Sequence, residues 1–214
     1  MLPPASPTVF VIDDDAAVRK AVSRLLRSAG IAVAVFASPG EFLAQHDPDM
    51  PGCLVLDLAM PDINGLQLQT TLAKKGCTLP IIFLTGHGDV SKSVQAMKHG
   101  AFDFFSKPVK EKDLLPAVRA AIERNAVARQ EQARLSEICA RLDTLTPRER
   151  EVLEHVVAGK LNKQIASDLG ITEATVKMHR ARVMAKMKVQ SVAELSRLTE
   201  RCGIRGTNSL KSAA

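Results

Sequence analysis

Short apolar runs, separated by helix-length amphipathic stretches, mark the first half of the 214-residue chain. The strand-like runs are Thr8 to Ile12, Ile31 to Phe36, Cys53 to Leu56, Pro80 to Leu84 and Phe102 to Phe105. They are nearly continuous in apolar residues, as strands buried on both faces are. Between them, Ala16 to Ser28 carries Val18, Val22, Leu25 and Leu26 at helical spacing, and Gly30 stands where a left-handed cap would. Ser38-Pro39-Gly40-Glu41 has the form of a capping box with proline at the first helical position. Asn64-Gly65 reads as a turn, and further helices are predicted over Leu66 to Lys75, over Val90 to His99 and from near Asp113. Five strands, each followed by a helix, imply an α/β fold: a doubly wound, five-stranded parallel sheet covered on both faces.

The second half has helical periodicity only. From Ala117 to Thr146 there is neither Gly nor Pro, which predicts one long helix. Its apolar stripe (Leu115, Val118, Ile122) gives way to a polar middle, Glu123 to Arg134, and resumes at Leu135, Ile138, Leu142 and Leu145. The polar middle predicts a solvent-crossing linker. Thr146-Pro147-Arg148-Glu149 is a second capping box and opens a small all-α unit. Its helices are predicted over Pro147 to Ala158, Asn162 to Leu169, Glu173 to about Lys186, and Val192 to Arg201.

Charge separates the halves. Residues 1–124 hold 13 Lys/Arg and 13 Asp/Glu, so the formal charge of +6 belongs wholly to the remainder. A basic, all-helical half points to a polyanion, double-stranded DNA foremost. Aromatics are scarce, with no Trp or Tyr, which argues against base stacking on aromatic platforms as the binding mode. Cys53, Cys77, Cys139 and Cys202 show no C-x-x-C spacing, so the sequence suggests neither a zinc site nor a dithiol. The proline-rich start lacks a signal core and no run reaches membrane-spanning length, which predicts a cytoplasmic protein without a membrane partner.

The chemistry gathers at the strand ends. Asp13, Asp14 and Asp15 follow the first strand, Asp57 the third, Thr85 the fourth and Lys107 the fifth. In parallel sheets, ligands sit beyond the carboxyl ends of the strands, so these residues converge. Clustered carboxylates suit Mg²⁺, which takes oxygen ligands together with phosphate (Mn²⁺ can substitute). Asp57 stands alone at a central strand end, where a carboxylate can form an acyl phosphate. Lys107 and the Thr85 hydroxyl would then meet phosphoryl oxygens. Asp15 is predicted to cap the helix at Ala16.

In the basic half, Asn162 to Leu169 and Thr172 to Lys186, joined by Gly170-Ile171, read as helix-turn-helix. Projected at a hundred degrees per residue, Val176, Val183 and Met187 share the core face of the second helix. Lys177, Met178, Ala181, Ala185 and Lys188 lie opposite, flanked by Arg180, Arg182 and Lys186. Small residues among lysines, with no acid between Lys177 and Lys188, form the footprint of a major-groove helix. An ordinary solvated basic face is the alternative reading.

Two resemblances cover nearly the whole chain. Residues 8–122, through VFVIDDD, VLDLAMPDINGL, IIFLTGHGD and FDFFSKP, resemble the flavodoxin-like receiver domain of two-component response regulators. This implies Asp57 as phosphoacceptor, and a metal site of Asp13, Asp14, Asp57 and the Ala59 carbonyl. Thr85 and Lys107 match the switch hydroxyl and the site lysine, and the resemblance implies a cis bond between Lys107 and Pro108. Phe104 matches an aromatic switch position; without a phenol oxygen it acts through packing alone. Leu145 to Leu198 resembles the LuxR-type DNA-binding domain, through Leu145-Thr146, Arg148-Glu149, Gly159, Asn162-Lys163, Ile165-Ala166, Leu169-Gly170-Ile171 and Thr175-Val176-Lys177. By that likeness Lys177, Met178 and Ala181 face bases. Lys160, Asn162, Lys163, Thr172, Thr175, Arg180, Arg182 and Lys186 belong to the same DNA-binding surface, and His179 packs inward.

The expected organisation is a disordered tail (1–7), a receiver (8–122), a helical linker (123–142), a helix-turn-helix domain (143–202) and a disordered tail (203–214). The combination is similar to the FixJ-like branch of DNA-binding response regulators. That implies phosphorylation on Asp57 by a sensor histidine kinase, a homodimer when phosphorylated, and promoter binding with RNA polymerase as a further partner. It does not imply an enzyme with an external substrate. Two alternatives stand beside it: a constitutive DNA-binding regulator with a non-signalling receiver, and an aspartyl-phosphate phosphohydrolase. Short loops leave the hydrolase reading little room for a substrate lid.

Overall fold

The computed structural model describes residues 6–86 and 90–202, without the side chains of 90–93. Both tails expected to be disordered lie outside the described residues, apart from Ser6 and Pro7. The chain forms two compact units, 1–130 and 131–214.

In the first unit, β1 (Thr8–Ile12), β2 (Ala32–Phe36), β3 (Gly52–Asp57), β4 (Ile81–Thr85) and β5 (Asp103–Ser106) form a parallel sheet in the order β2-β1-β3-β4-β5. Helices α1 (Ala16–Ser28), α2 (Pro39–Gln45), α3 (Gly65–Lys74), α4 (Val90–Lys98) and the start of α5 (Glu111–Asp143) follow the strands. Side chains alternate along each strand, and in the inner strands β1, β3 and β4 both sets are buried. Phe10, Leu54, Leu56 and Phe83 enter a core with Phe36, Phe42, Leu68 and Leu72. Val9, Val11, Val55, Ile82 and Leu84 enter the opposite core with Val22, Leu26, Leu114 and Val118. Two cores explain why the strands read as continuous apolar runs.

Local signals set the helix starts. Asp15 accepts from the Ala17 N–H at 2.7 Å and caps α1, as predicted. Ser38 caps α2 with Pro39 in its first turn, but Glu41 reaches back to the Ala37 N–H at 2.7 Å rather than to Ser38, so the box is incomplete. Asn64 is the N-cap of α3 in a full capping box with Gln67. Gly65 is therefore the first helical residue, not part of a turn. A Cβ on Gly65 would meet the Asp57 carbonyl oxygen at 2.5 Å and the Phe83 ring at 2.8 Å. Glycine lets α3 start directly against the end of β3.

The long helix is α5, unbroken over 33 residues with Pro116 inside it. Its polar middle is not all solvent-crossing. Asn125 is fully buried; its Oδ1 accepts from the Gly52 N–H at 3.1 Å and its Nδ2 donates to the Thr78 carbonyl at 3.1 Å. Arg129 donates to the Asp49 carbonyl at 2.6 Å. These bonds tie that part of α5 to the first unit.

In the second unit, α6 (Pro147–Val157), α7 (Asn162–Leu169), α8 (Glu173–Met187) and α9 (Val192–Arg201) pack with the last turns of α5. Ile138, Leu142, Val152, Leu153, Ile165, Val176, Val183, Met187 and Leu195 form its core. Gly170, at φ 65°, ends α7 in the left-handed conformation, and Thr172 caps α8 by accepting from the Thr175 N–H at 3.2 Å. Val176, Val183 and Met187 are the buried residues of α8, as its projection predicts.

Candidate functional site

The parallel sheet brings the strand-end carboxylates together. Asp13 follows β1, and Asp57 is the last residue of β3. Each offers an oxygen, with Asp14, such that all three oxygens lie within 4.8 Å of one another. Asp13 and Asp57 are buried, whereas Asp14 is exposed. Lys107, just after β5, places its Nζ 2.7 Å from Asp13 Oδ2 and 3.1 Å from Asp57 Oδ1. Its backbone N–H donates to the Thr85 carbonyl at 2.6 Å, which ties the ends of β4 and β5. The peptide between Lys107 and Pro108 is cis.

Burial raises the Asp13 carboxyl above the ordinary aspartate range, and the Lys107 ammonium only partly offsets this. Burial alone would lower the lysine; its contacts with Asp13 and Asp57 outweigh that and raise it, so it stays charged. One ammonium thus serves both buried carboxylates, and exposed Asp14 adds a third negative group beside them. A single positive charge leaves the cluster net negative, which a further cation would offset. The cluster fits a hard divalent ion, which prefers carboxylate oxygen.

The other expected site residues sit less directly. Thr85 is buried at the end of β4, but its hydroxyl donates to the Gly86 carbonyl at 3.1 Å rather than to the carboxylates. Ala59 is exposed two residues past β3. Phe104 is half-buried on β5 and packs against the first core. Sequence reasoning missed Arg19, whose guanidinium donates to the Asp13 carbonyl at 2.6 Å. Its place in the second turn of α1, directly after the acidic run, was the available signal.

On the helical unit, Lys163, Thr172, Lys177, Met178, Ala181 and Arg182 are exposed. Met178 keeps 41% of its surface, large for an apolar side chain on a basic helix. His179 is half-buried with an unpartnered Nδ1, consistent with packing rather than base contact. Thr175 is half-buried and shares a 2.8 Å hydroxyl contact with Thr172. Arg180 donates to Asn162 Oδ1 at 2.9 Å, and Lys160 pairs with Asp168 at 2.7 Å, so Lys160, Asn162 and Arg180 are held by the unit itself. Lys186 is likewise engaged within the unit. Its Nζ donates to the Thr144 carbonyl at 2.9 Å and pairs with Glu149 Oε2 at 2.6 Å, so the ammonium holds α8 to the start of α6. Lys188 lies just past the helix; at φ 54° it is the left-handed cap of α8. Glu149, 2% exposed, also accepts from the Thr146 N–H at 2.9 Å; the capping box disclosed that bond but not the ion pair.

A doubly wound sheet with an acidic cluster at its strand ends, joined in one chain with a basic helix-turn-helix unit, defines a DNA-binding regulator built on a receiver fold. The chain belongs to the response regulators with a LuxR-type output domain. The response regulator receiver domain matches residues 9–119, and the luxR family of bacterial regulatory proteins matches residues 143–199. The chain is 45% identical to nodulation protein W of Bradyrhizobium diazoefficiens over 196 residues, 92% of this chain and 86% of that one. It is 47% identical to the transcriptional regulatory protein FixJ of Azorhizobium caulinodans over 202 residues, 94% and 95% of the two chains. The solved structure of the response regulator StyR superposes with a TM-score of 0.81 at 44% identity, covering 92% of this chain and all of that one. The family is one of transcription regulators, not of enzymes acting on an external substrate. Among the described residues, no helix is long and apolar enough to cross a membrane.

Proposed function

We propose that Asp57 accepts a phosphoryl group from the phosphohistidine of a sensor kinase, and that the resulting acyl phosphate controls promoter binding by the helical unit. The observation that carries this reading is the meeting of Asp13, Asp14 and Asp57 with Lys107 at the ends of β1, β3 and β5. An Asp57 carboxylate oxygen attacks phosphorus as the bond to the kinase imidazole breaks. Asp13, Asp14, Asp57 and the Ala59 carbonyl would hold Mg²⁺, or Mn²⁺ in its place, and the ion would offset charge on the phosphoryl oxygens. Lys107 then pairs with a phosphoryl oxygen, and the Thr85 hydroxyl leaves the Gly86 carbonyl for another. Phe104 follows that movement by repacking on β5.

In the helical unit, Lys177, Met178 and Ala181 face bases, while Lys163, Thr172 and Arg182 meet phosphates. Lys160, Asn162, Thr175 and Arg180 order the surface from which those groups reach. The working form is a cytoplasmic homodimer that engages RNA polymerase at its promoter. The receiver comprises 8–122, the linker 123–142 and the DNA-binding domain 143–202, with the start of the linker serving as an extension of the receiver.

The test is incubation of the full chain with Mg²⁺ and a small acyl phosphodonor. Stoichiometric labelling that disappears in Asp57→Asn is expected. Multiple turnover of unrelated phosphate esters would replace this reading with a hydrolase. Equal operator affinity for wild type and Asp57→Asn, with and without donor, would make the receiver non-signalling.

A further inference from the structure

Tertiary packing brings together two of the four free cysteines. Cys139 lies on the exposed side of α5, and Cys202 ends α9; their Sγ atoms are 3.0 Å apart although 63 residues separate them. A disulfide requires about 2.04 Å, so closure needs an approach of about 1 Å. Both backbones are anchored. Ile138 and Leu142, on either side of Cys139, are buried in the helical core, and Cys202 packs against that core. The Cys202 N–H donates to the Thr199 carbonyl at 3.1 Å. Two thiols held at this separation by packed helices meet repeatedly rather than by chance.

We propose that Cys139 and Cys202 are a reversible dithiol–disulfide pair through which hydrogen peroxide fastens the last turns of α5 to the end of α9. The Cys139 thiol gives up its proton and attacks one peroxide oxygen; the O–O bond breaks, and the departing hydroxide takes up a proton, giving a sulfenic acid and one water. The Cys202 sulfur then attacks the Cys139 sulfur, the S–O bond breaks, and the departing hydroxide leaves as water with the Cys202 proton. Two thiols lose two electrons and two protons, and the peroxide is reduced to two waters.

Exposure assigns the order, because Cys139 is the thiol open to solvent. Burial, and then the neighbouring Cys139, push the Cys202 thiol up to about 11, which suits a resolving partner that keeps its proton until condensation. Cys53, fully buried and pushed up to about 12, is the internal unreactive control. The pair shares no residue with the exposed face of α8, so the bond acts on the entry of the connecting helix rather than on DNA contacts. In a reducing compartment such a pair rests as the dithiol and closes transiently.

The test uses the full chain, treated with a few equivalents of hydrogen peroxide, alkylated after denaturation, digested and read by mass spectrometry. A Cys139–Cys202 peptide pair lacking two hydrogens, and released by dithiothreitol, is expected. The calorimetric transition of the helical unit should rise by on the order of 10 °C in the oxidised wild type, and not in Cys139→Ser or Cys202→Ser. Independent alkylation of both thiols after peroxide, oxidation of Cys139 to the sulfinic acid in the wild type, or links between chains would each overturn the pair.

Discussion

Replacing Gly65 by alanine tests whether α3 must begin in contact with the phosphoacceptor strand. The added Cβ would sit 2.5 Å from the Asp57 carbonyl oxygen, 2.8 Å from a Phe83 ring carbon and 3.2 Å from the Leu58 Cα. Two of these neighbours are backbone, and Phe83 is fully buried, so none can move at low cost. The Gly65 N–H also donates to the Leu58 carbonyl at 3.1 Å, which holds the helix at that distance. Overpacking of this kind costs about 1–3 kcal/mol. For a unit of this size about 2 kcal/mol lowers the melting temperature by roughly 8 °C. Calorimetry of the full chain should show the receiver transition falling by that amount while the helical transition stays in place. Because the displaced atoms belong to Asp57 and Leu58, labelling by a small phosphodonor should slow as well. A receiver transition within about 1 °C of wild type would refute the close approach and, with it, this account of the glycine.

Lys107→Ala removes the cation that shares Asp13 and Asp57 with any bound metal, so titration calorimetry should find Mg²⁺ bound about tenfold more tightly, while phosphodonor labelling slows. Weaker Mg²⁺ binding would mean that the lysine organises the carboxylates rather than competing for them. The Lys186 ammonium, then the Thr146 N–H, hold the Glu149 carboxyl below its ordinary value of 4.5. A depressed carboxylate stabilises the fold above its unfolded value, and that contribution is lost as pH falls through the folded value. The helical transition should therefore drop below about pH 4.5, and Glu149→Gln should flatten that part of the profile; an identical acid slope in the variant would rule out Glu149 as its source. Lys177→Ala and Met178→Ala should change operator sequence preference. Arg182→Ala should weaken binding to every sequence and reduce the salt slope by about one; unaltered footprints in all three variants would show that the face is misassigned.

The two periods of the chain, apolar runs for strands and threes and fours for helices, were enough to determine nearly all the elements, because periodicity records which local conformation buries apolar surface. The order of strands and helices also determined that Asp13, Asp57 and Lys107 would converge, since parallel strands crossed by helices bring their carboxyl ends to one edge. The core face of α8, with Val176, Val183 and Met187, was legible for the same reason. Pairings across the fold were not. Lys186 belonged to a continuous basic helix in the sequence, and only packing of α8 on α6 brought it to Glu149. Asn125 looked like part of a solvated linker until Gly52 and Thr78 came within its reach. Gly65 resembled a turn glycine, and Cys139 and Cys202 showed no motif spacing. Each of these depends on groups distant along the chain meeting at a particular depth and angle. Local periodicity carries no record of that, because it describes which side of an element faces inward and not what stands opposite.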